Sequence, residues 1–132
     1  EYMLMLINKE MPVAPPLKHG IVDVRDVAKI HIDALENDES IGKRVIITEN
    51  TYWVRELSEM LNKHGHKAPT FTPPVFLVKF LANFDKTIKP VKPLLGVDIS
   101  FNTEVAKSVL KYDPIPIEKT IEDTCSFLSS YK

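Results

Sequence analysis

What this 132-residue sequence lacks limits its function first. It has a single cysteine, Cys125, so neither an internal disulfide nor a cysteine cluster can form. Its four glycines, Gly20, Gly42, Gly65 and Gly96, each lie more than twenty residues from the next. A loop that lets backbone approach a pyrophosphate needs its glycines clustered, so these residues hold no phosphate cradle. No apolar run approaches the ~20 residues that cross a bilayer. The stretch Tyr2 to Pro12 lacks the basic start and small-residue cleavage site of a secretory leader. Neither sign of charge dominates: seventeen basic and eighteen acidic residues leave a net charge of −1. A nucleic-acid surface needs a concentrated positive face, so nucleic acid is not an expected partner. Nor is a membrane, and a reducing cytoplasmic location is the expectation.

What is present reads as an alternation of helices and strands, hence an α/β protein. Met3, Leu4, Leu6 and Ile7 fit helical turns, and the prolines of "MPVAPPL" (Met11 to Leu17) force a loop. Ile21, Val22 and Val24 predict a short strand, with Asp26 capping a helix that buries Val27, Ile30, His31, Ala34 and Leu35. "RVIIT" (Arg44 to Thr48) predicts a buried parallel strand. Thr51 is placed to cap a helix burying Val54, Leu57, Met60 and Leu61, with Gly65 ending it. "APTFTPP" and "VDISFN" predict further strands. Val75 to Phe84 predicts a helix, "KTIKPVKPLLG" a proline-broken linker, Asn102 to Leu110 a short capped helix, and Ile117 to Leu128 a final one.

Few side chains gather into a catalytic pattern. His64 and His66 stand close in sequence but lack a third metal ligand, and read as a solvated helix end. Asp23 and Asp26 bracket Arg25; a paired-carboxylate site and a helix cap with a local ion pair both fit, and the second is the simpler. Cys125 falls on an apolar helical stripe and reads as packing. Phe71, Phe76, Phe80 and Phe84 are either core or the wall of an apolar cleft. Four tyrosines occur, and none has a lysine four residues on.

"GIVDVRDVAKIHIDALEN" (Gly20 to Asn37) resembles a segment of the extended short-chain dehydrogenases/reductases, the NAD-dependent epimerase/dehydratase superfamily. "GKRVIIT", "VRELSEML", "DISFNTEVAKSVL" and "IEKTIEDT" follow in that family's order, and the branch they most resemble holds dihydroflavonol 4-reductase and aldehyde or ketone reductases. The resemblance implies the C-terminal portion of such an enzyme. Residues 1–50 would end the dinucleotide-binding Rossmann domain, and 51–132 would form the smaller substrate-binding lobe. The family's catalytic Tyr-x-x-x-Lys pair and glycine-rich loop match no position here, so no catalytic, cofactor-binding or metal-ligating residue is carried over. NADP or NAD would bind the full-length parent and not these residues. Ala14, Pro15, Pro16 and Leu17 would contact a small carbonyl substrate.

The expected partner is the missing N-terminal half, with self-association through an exposed sheet surface at Ile21, Val22 and "RVIIT" as a further possibility. The alternatives are a nucleotide-sugar epimerase or dehydratase fragment, and a stand-alone binding module. "KHGIVDV" carries no arginine fork for a diphosphate, which favours a reductase over a sugar-nucleotide enzyme.

Overall fold

A computed structural model describes residues 2–86 and 88–130; Glu1, Thr87, Tyr131 and Lys132 lie outside the described residues. The chain forms α1 (Tyr2–Ile7), β1 (Lys18–Ile21), α2 (Val24–Leu35), β2 (Asn50–Trp53), α3 (Val54–Lys63), α4 (Val75–Leu81), α5 (Glu104–Leu110) and α6 (Ile117–Ser130). Two compact units result, each discontinuous in sequence. One holds residues 1–19 and 52–99, the other 20–51 and 100–132.

The described sheet is the pair β1–β2. It is antiparallel: Val54 N–H donates to Leu17 O at 3.0 Å and Glu49 N–H to Ile21 O at 2.7 Å, so one strand index falls as the other rises. The expected strand at Ile21 to Val24 therefore begins and ends earlier, at Lys18–Ile21. "RVIIT", "APTFTPP" and "VDISFN" have no regular secondary structure and join no ladder among the described residues. Periodicity identifies a chain suited to a strand, but a strand also needs a neighbour for its N–H and C=O groups.

In the first unit α1 packs on α3. Leu6, Ala14, Val54, Leu57, Leu61 and Ala82 are fully buried, with Leu95 close behind. The apolar positions of α3 explain this: Val54, Leu57, Ser58 and Leu61 recur at three- and four-residue steps and are the helix's buried face. Trp53, not Thr51, holds the cap position of α3. Gly65 follows the helix in the left-handed region (φ +85°), as the expected stop requires.

In the second unit α2 packs on α5, and Ile30, Ala106, Leu110 and Tyr112 form a buried cluster backed by Ala34, Val45, Ile47 and Val109. Asp23 caps α2 in place of Asp26, because the preceding strand stops at Ile21 and the helix starts at Val24. His31 is exposed, not on the buried face; its Nδ1 lies 2.7 Å from Val27 O. Leu35 is likewise out in solvent, 88% exposed. Residues Val24, Ala28, Ile32 and Leu35 thus make a second, exposed apolar stripe on α2. Ile21, Val22 and the "RVIIT" residues Val45, Ile46 and Ile47 are only half-buried, so the most open apolar surface of this unit is on the helix.

Candidate functional site

The first unit contains a cavity of about 580 Å³ lined by Pro15, Pro16, Trp53, Arg55, Glu56, Glu59, Thr72, Val75 and Gly96. Its walls come from four separate chain segments, and the proline loop ties them together. Ala14 N–H donates to Phe71 O at 2.9 Å, Gly96 N–H to Pro16 O at 2.7 Å, and Val54 N–H to Leu17 O at 3.0 Å. Proline fixes φ at both Pro15 and Pro16, so the loop is held by its own rings and by these bonds. Of the four residues expected at a substrate, Pro15 and Pro16 line the cavity, whereas Ala14 and Leu17 are buried in the core behind it.

Charged side chains on the cavity wall are already engaged. Arg55 Nε donates to Glu59 Oε1 at 2.8 Å, one turn along α3, and Glu56 Oε2 accepts the Trp53 N–H at 2.7 Å. Lys18 Nζ stands 5.7 Å from the centre of the Trp53 ring and bonds to Asp98. The Thr72 hydroxyl is a buried polar atom with no hydrogen-bond partner. A lining of proline, tryptophan and valine, with one arginine against two glutamates and so a net charge of −1, suits a small, largely apolar molecule that is not an anion.

Gly96 shapes one wall. Its φ of +74° favours glycine, and a Cβ there would stand 2.9 Å from Val75 Cγ2. Sequence reading missed Trp53, Thr72, Val75 and Gly96, because none belongs to a motif. The lone tryptophan at a strand-to-helix junction was the available signal.

In the second unit the Asp23–Arg25–Asp26 run is a structural clamp. Asp23 Oδ1 accepts from Arg25 N at 2.9 Å and from Arg25 Nε at 2.9 Å, while its Oδ2 accepts from Arg25 Nη2 at 2.7 Å and from Thr120 Oγ1 at 2.8 Å. Arg25 Nη1 reaches Asp123 at 2.8 Å, and Asp26 Oδ2 accepts the Ile115 N–H at 2.9 Å. The side-chain hydrogen bond from Arg25, supported by its charge and by Thr120, holds the Asp23 carboxyl well below the usual carboxylate range despite burial. Both aspartates are spent on joining α2 to α6 and its preceding loop, which is the cap-and-ion-pair reading.

Tyr112 is buried and its hydroxyl has no hydrogen-bond partner. Burial, with the nearby carboxylates of Asp26, Glu49 and Asp23, pushes its phenol up to about 12. That is the wrong direction for a tyrosine activated to donate or accept a proton near neutrality. His64 is exposed and His66 half-buried, and among the described residues no group of three His, Cys, Asp or Glu is placed to hold a metal. No described helix is long and apolar enough to cross a membrane.

No family model matches the chain. A 60-residue stretch, 46% of the chain, is 41% identical to the NADPH-dependent methylglyoxal reductase GRE2 of Saccharomyces cerevisiae and covers 17% of that protein. Among solved structures, gox2253 superposes on 98% of the chain with a TM-score of 0.76 at 22% identity, over 43% of its own length. Yeast methylglyoxal/isovaleraldehyde reductase Gre2, complexed with NADPH, superposes on 97% of the chain with a TM-score of 0.62 at 26% identity, over 40% of its length. The chain thus spans less than half the length of these relatives. Over that stretch in sequence, and over nearly its whole length in fold, the chain is similar to these methylglyoxal/isovaleraldehyde reductases.

Proposed function

We propose that this chain is the substrate-side, C-terminal portion of an NADPH-dependent reductase of small hydrophobic aldehydes or ketones, in the dihydroflavonol-reductase-like branch. In this reading residues 1–50 end the nucleotide-binding domain and 51–132 supply the substrate lobe. The observation that carries the proposal is the cavity behind Pro15, Pro16 and Trp53, whose walls include proline, tryptophan and valine and whose one arginine is paired with Glu59.

The cofactor does not fit the residues present. The four glycines are dispersed along the sequence and form no clustered loop for a pyrophosphate. NADPH would bind the remainder of the parent, which would also deliver hydride and the catalytic proton donor. Residues of this chain would bind the carbonyl compound and exclude water from it. That remainder would also be the natural cover for the α2 stripe, where Val24 is 78% and Leu35 88% exposed. A self-associating copy, or a stand-alone binding role, would use the same stripe. The expected location is cytoplasmic.

Thermal melting tests the substrate class directly. A short branched ketone should raise the melting temperature in proportion to the logarithm of its concentration above Kd, and a UDP-sugar should not. Stabilisation by the UDP-sugar alone would favour the epimerase or dehydratase reading instead.

A further inference from the structure

All six phenylalanines of the chain are at least 45% exposed, an unusual disposition for a side chain that dominates most cores. Three of them, Phe76, Phe80 and Phe84, stand at four-residue steps on and just beyond α4, 75%, 60% and 77% exposed. Phe80 and Phe84 meet edge to face with ring centroids 5.4 Å apart. Helix α4, "VFLVKFL", is apolar nearly all round. Val78 and the following Ala82 turn into the first unit, so Phe76, Leu77, Phe80 and Leu81 are left on the outer side. A helix of that composition is stable in water only if the second side is covered as well.

The charge around this face says what covers it. Between Val75 and Leu95 stand Lys79, Lys86, Lys89 and Lys92 against one acidic residue, Asp85, a local net charge of +3 (four minus one) in a chain whose total is −1. Lys92 Nζ bonds to Asn83 Oδ1 at 2.6 Å, which holds it one residue from Phe84. Lys79 lies between Phe76 and Phe80 in sequence, on the flank of their stripe. Two copies meeting through this face would bring two positive collars together. A negative surface is attracted by the collar and accepts the rings.

We propose that the outer face of α4 and its lysine collar dock peripherally on an anionic lipid surface. Phe76, Phe80 and Phe84 enter the boundary between headgroups and acyl chains, while the lysines stay among the phosphates. Exposed aromatic rings beside lysines are the arrangement that lies in a bilayer interface without crossing it. The proposal does not rest on the carbonyl cavity, whose lining shares with α4 only its first residue, Val75.

Flotation of the 132-residue chain with vesicles tests it. Phosphatidylcholine vesicles containing phosphatidylserine should carry the chain upward, pure phosphatidylcholine vesicles should not, and added salt should release it. Lys86→Gln and Lys89→Gln, both at exposed positions, should each weaken binding roughly fivefold. Phe76→Ser should weaken it roughly tenfold or more with the Trp53 emission unchanged. Equal binding to both vesicle types, no binding, or binding that the three variants retain would overturn the proposal. So would a dimer in solution that Phe76→Ser dissolves, which gives the face to a second copy, or capture by polyglutamate without vesicle binding, which gives it to an acidic protein.

Discussion

Gly96 and Val75 fit against each other so closely that a Cβ on the glycine would stand 2.9 Å from Val75 Cγ2 and 3.1 Å from Cγ1. Both residues line the cavity of the first unit, and the Gly96 N–H also holds the Pro16 carbonyl at 2.7 Å. Gly96→Ala imposes a strained φ and a clash together, at a cost of about 1–3 kcal/mol. Urea unfolding measures that loss. Gly96→Ala with Val75→Ala, which removes the opposing methyls, should recover the part due to the clash and leave the part due to φ.

The Asp23 clamp makes stability depend on acid. Its carboxyl is depressed in the folded chain, so its contribution is complete above the ordinary carboxylate value of about 4 and is lost as pH falls through the folded value. Asp23→Asn keeps a capping oxygen but gives up the charged pair with the half-exposed Arg25. It should cost about 1–2 kcal/mol at neutral pH, and the gap from the parent should close progressively below about pH 4. A gap independent of pH would contradict the assignment.

Tyr112 carries a buried hydroxyl without a partner, so Tyr112→Phe should be neutral or stabilising by up to about 1 kcal/mol. With the phenol raised to about 12 when folded, the unfolded chain ionises first, at its ordinary value of about 10, so stability is unaffected below that value and falls as pH rises from there towards 12. The parent should therefore unfold in alkali more readily than Tyr112→Phe, which circular dichroism across the alkaline range would record.

Lys111 closes α5 in the left-handed region, φ 50°, with no glycine to relieve the steric cost. Lys111→Gly should stabilise the chain by about 0.5–1 kcal/mol, read as a raised melting temperature.

Helices were legible because their burial repeats along one chain. Leu57 and Leu61 are on the inner side of α3 and Ile117, Ile121 and Cys125 on that of α6; at α5 the cap position is Thr103 and not the expected Asn102, whose Oδ1 still accepts the Glu104 N–H at 2.8 Å. Strands were not, because "RVIIT" and "VDISFN" specify a face but not a neighbour. A D-x-x-D run offers two caps three residues apart, each just before a possible helix start; the end of β1 decides for Asp23, and Asp26 becomes free to hold Ile115. The phenylalanine stripe was read as core or as the wall of a cleft, and its exposed rings are not core, since a period says that the rings share a side but not what covers it. The cavity was legible at Pro15 and Pro16 through the family resemblance alone. Thr72 and Gly96 arrive there by folding of distant segments, and no local pattern marks them.

The most direct measurement is a fluorescence titration, because Trp53 is the chain's only tryptophan and lines the cavity. A short branched ketone should change its emission saturably as it fills the space beside the indole. No saturable change, or equal saturation by a UDP-sugar, would contradict the assignment of this cavity to a small neutral carbonyl compound.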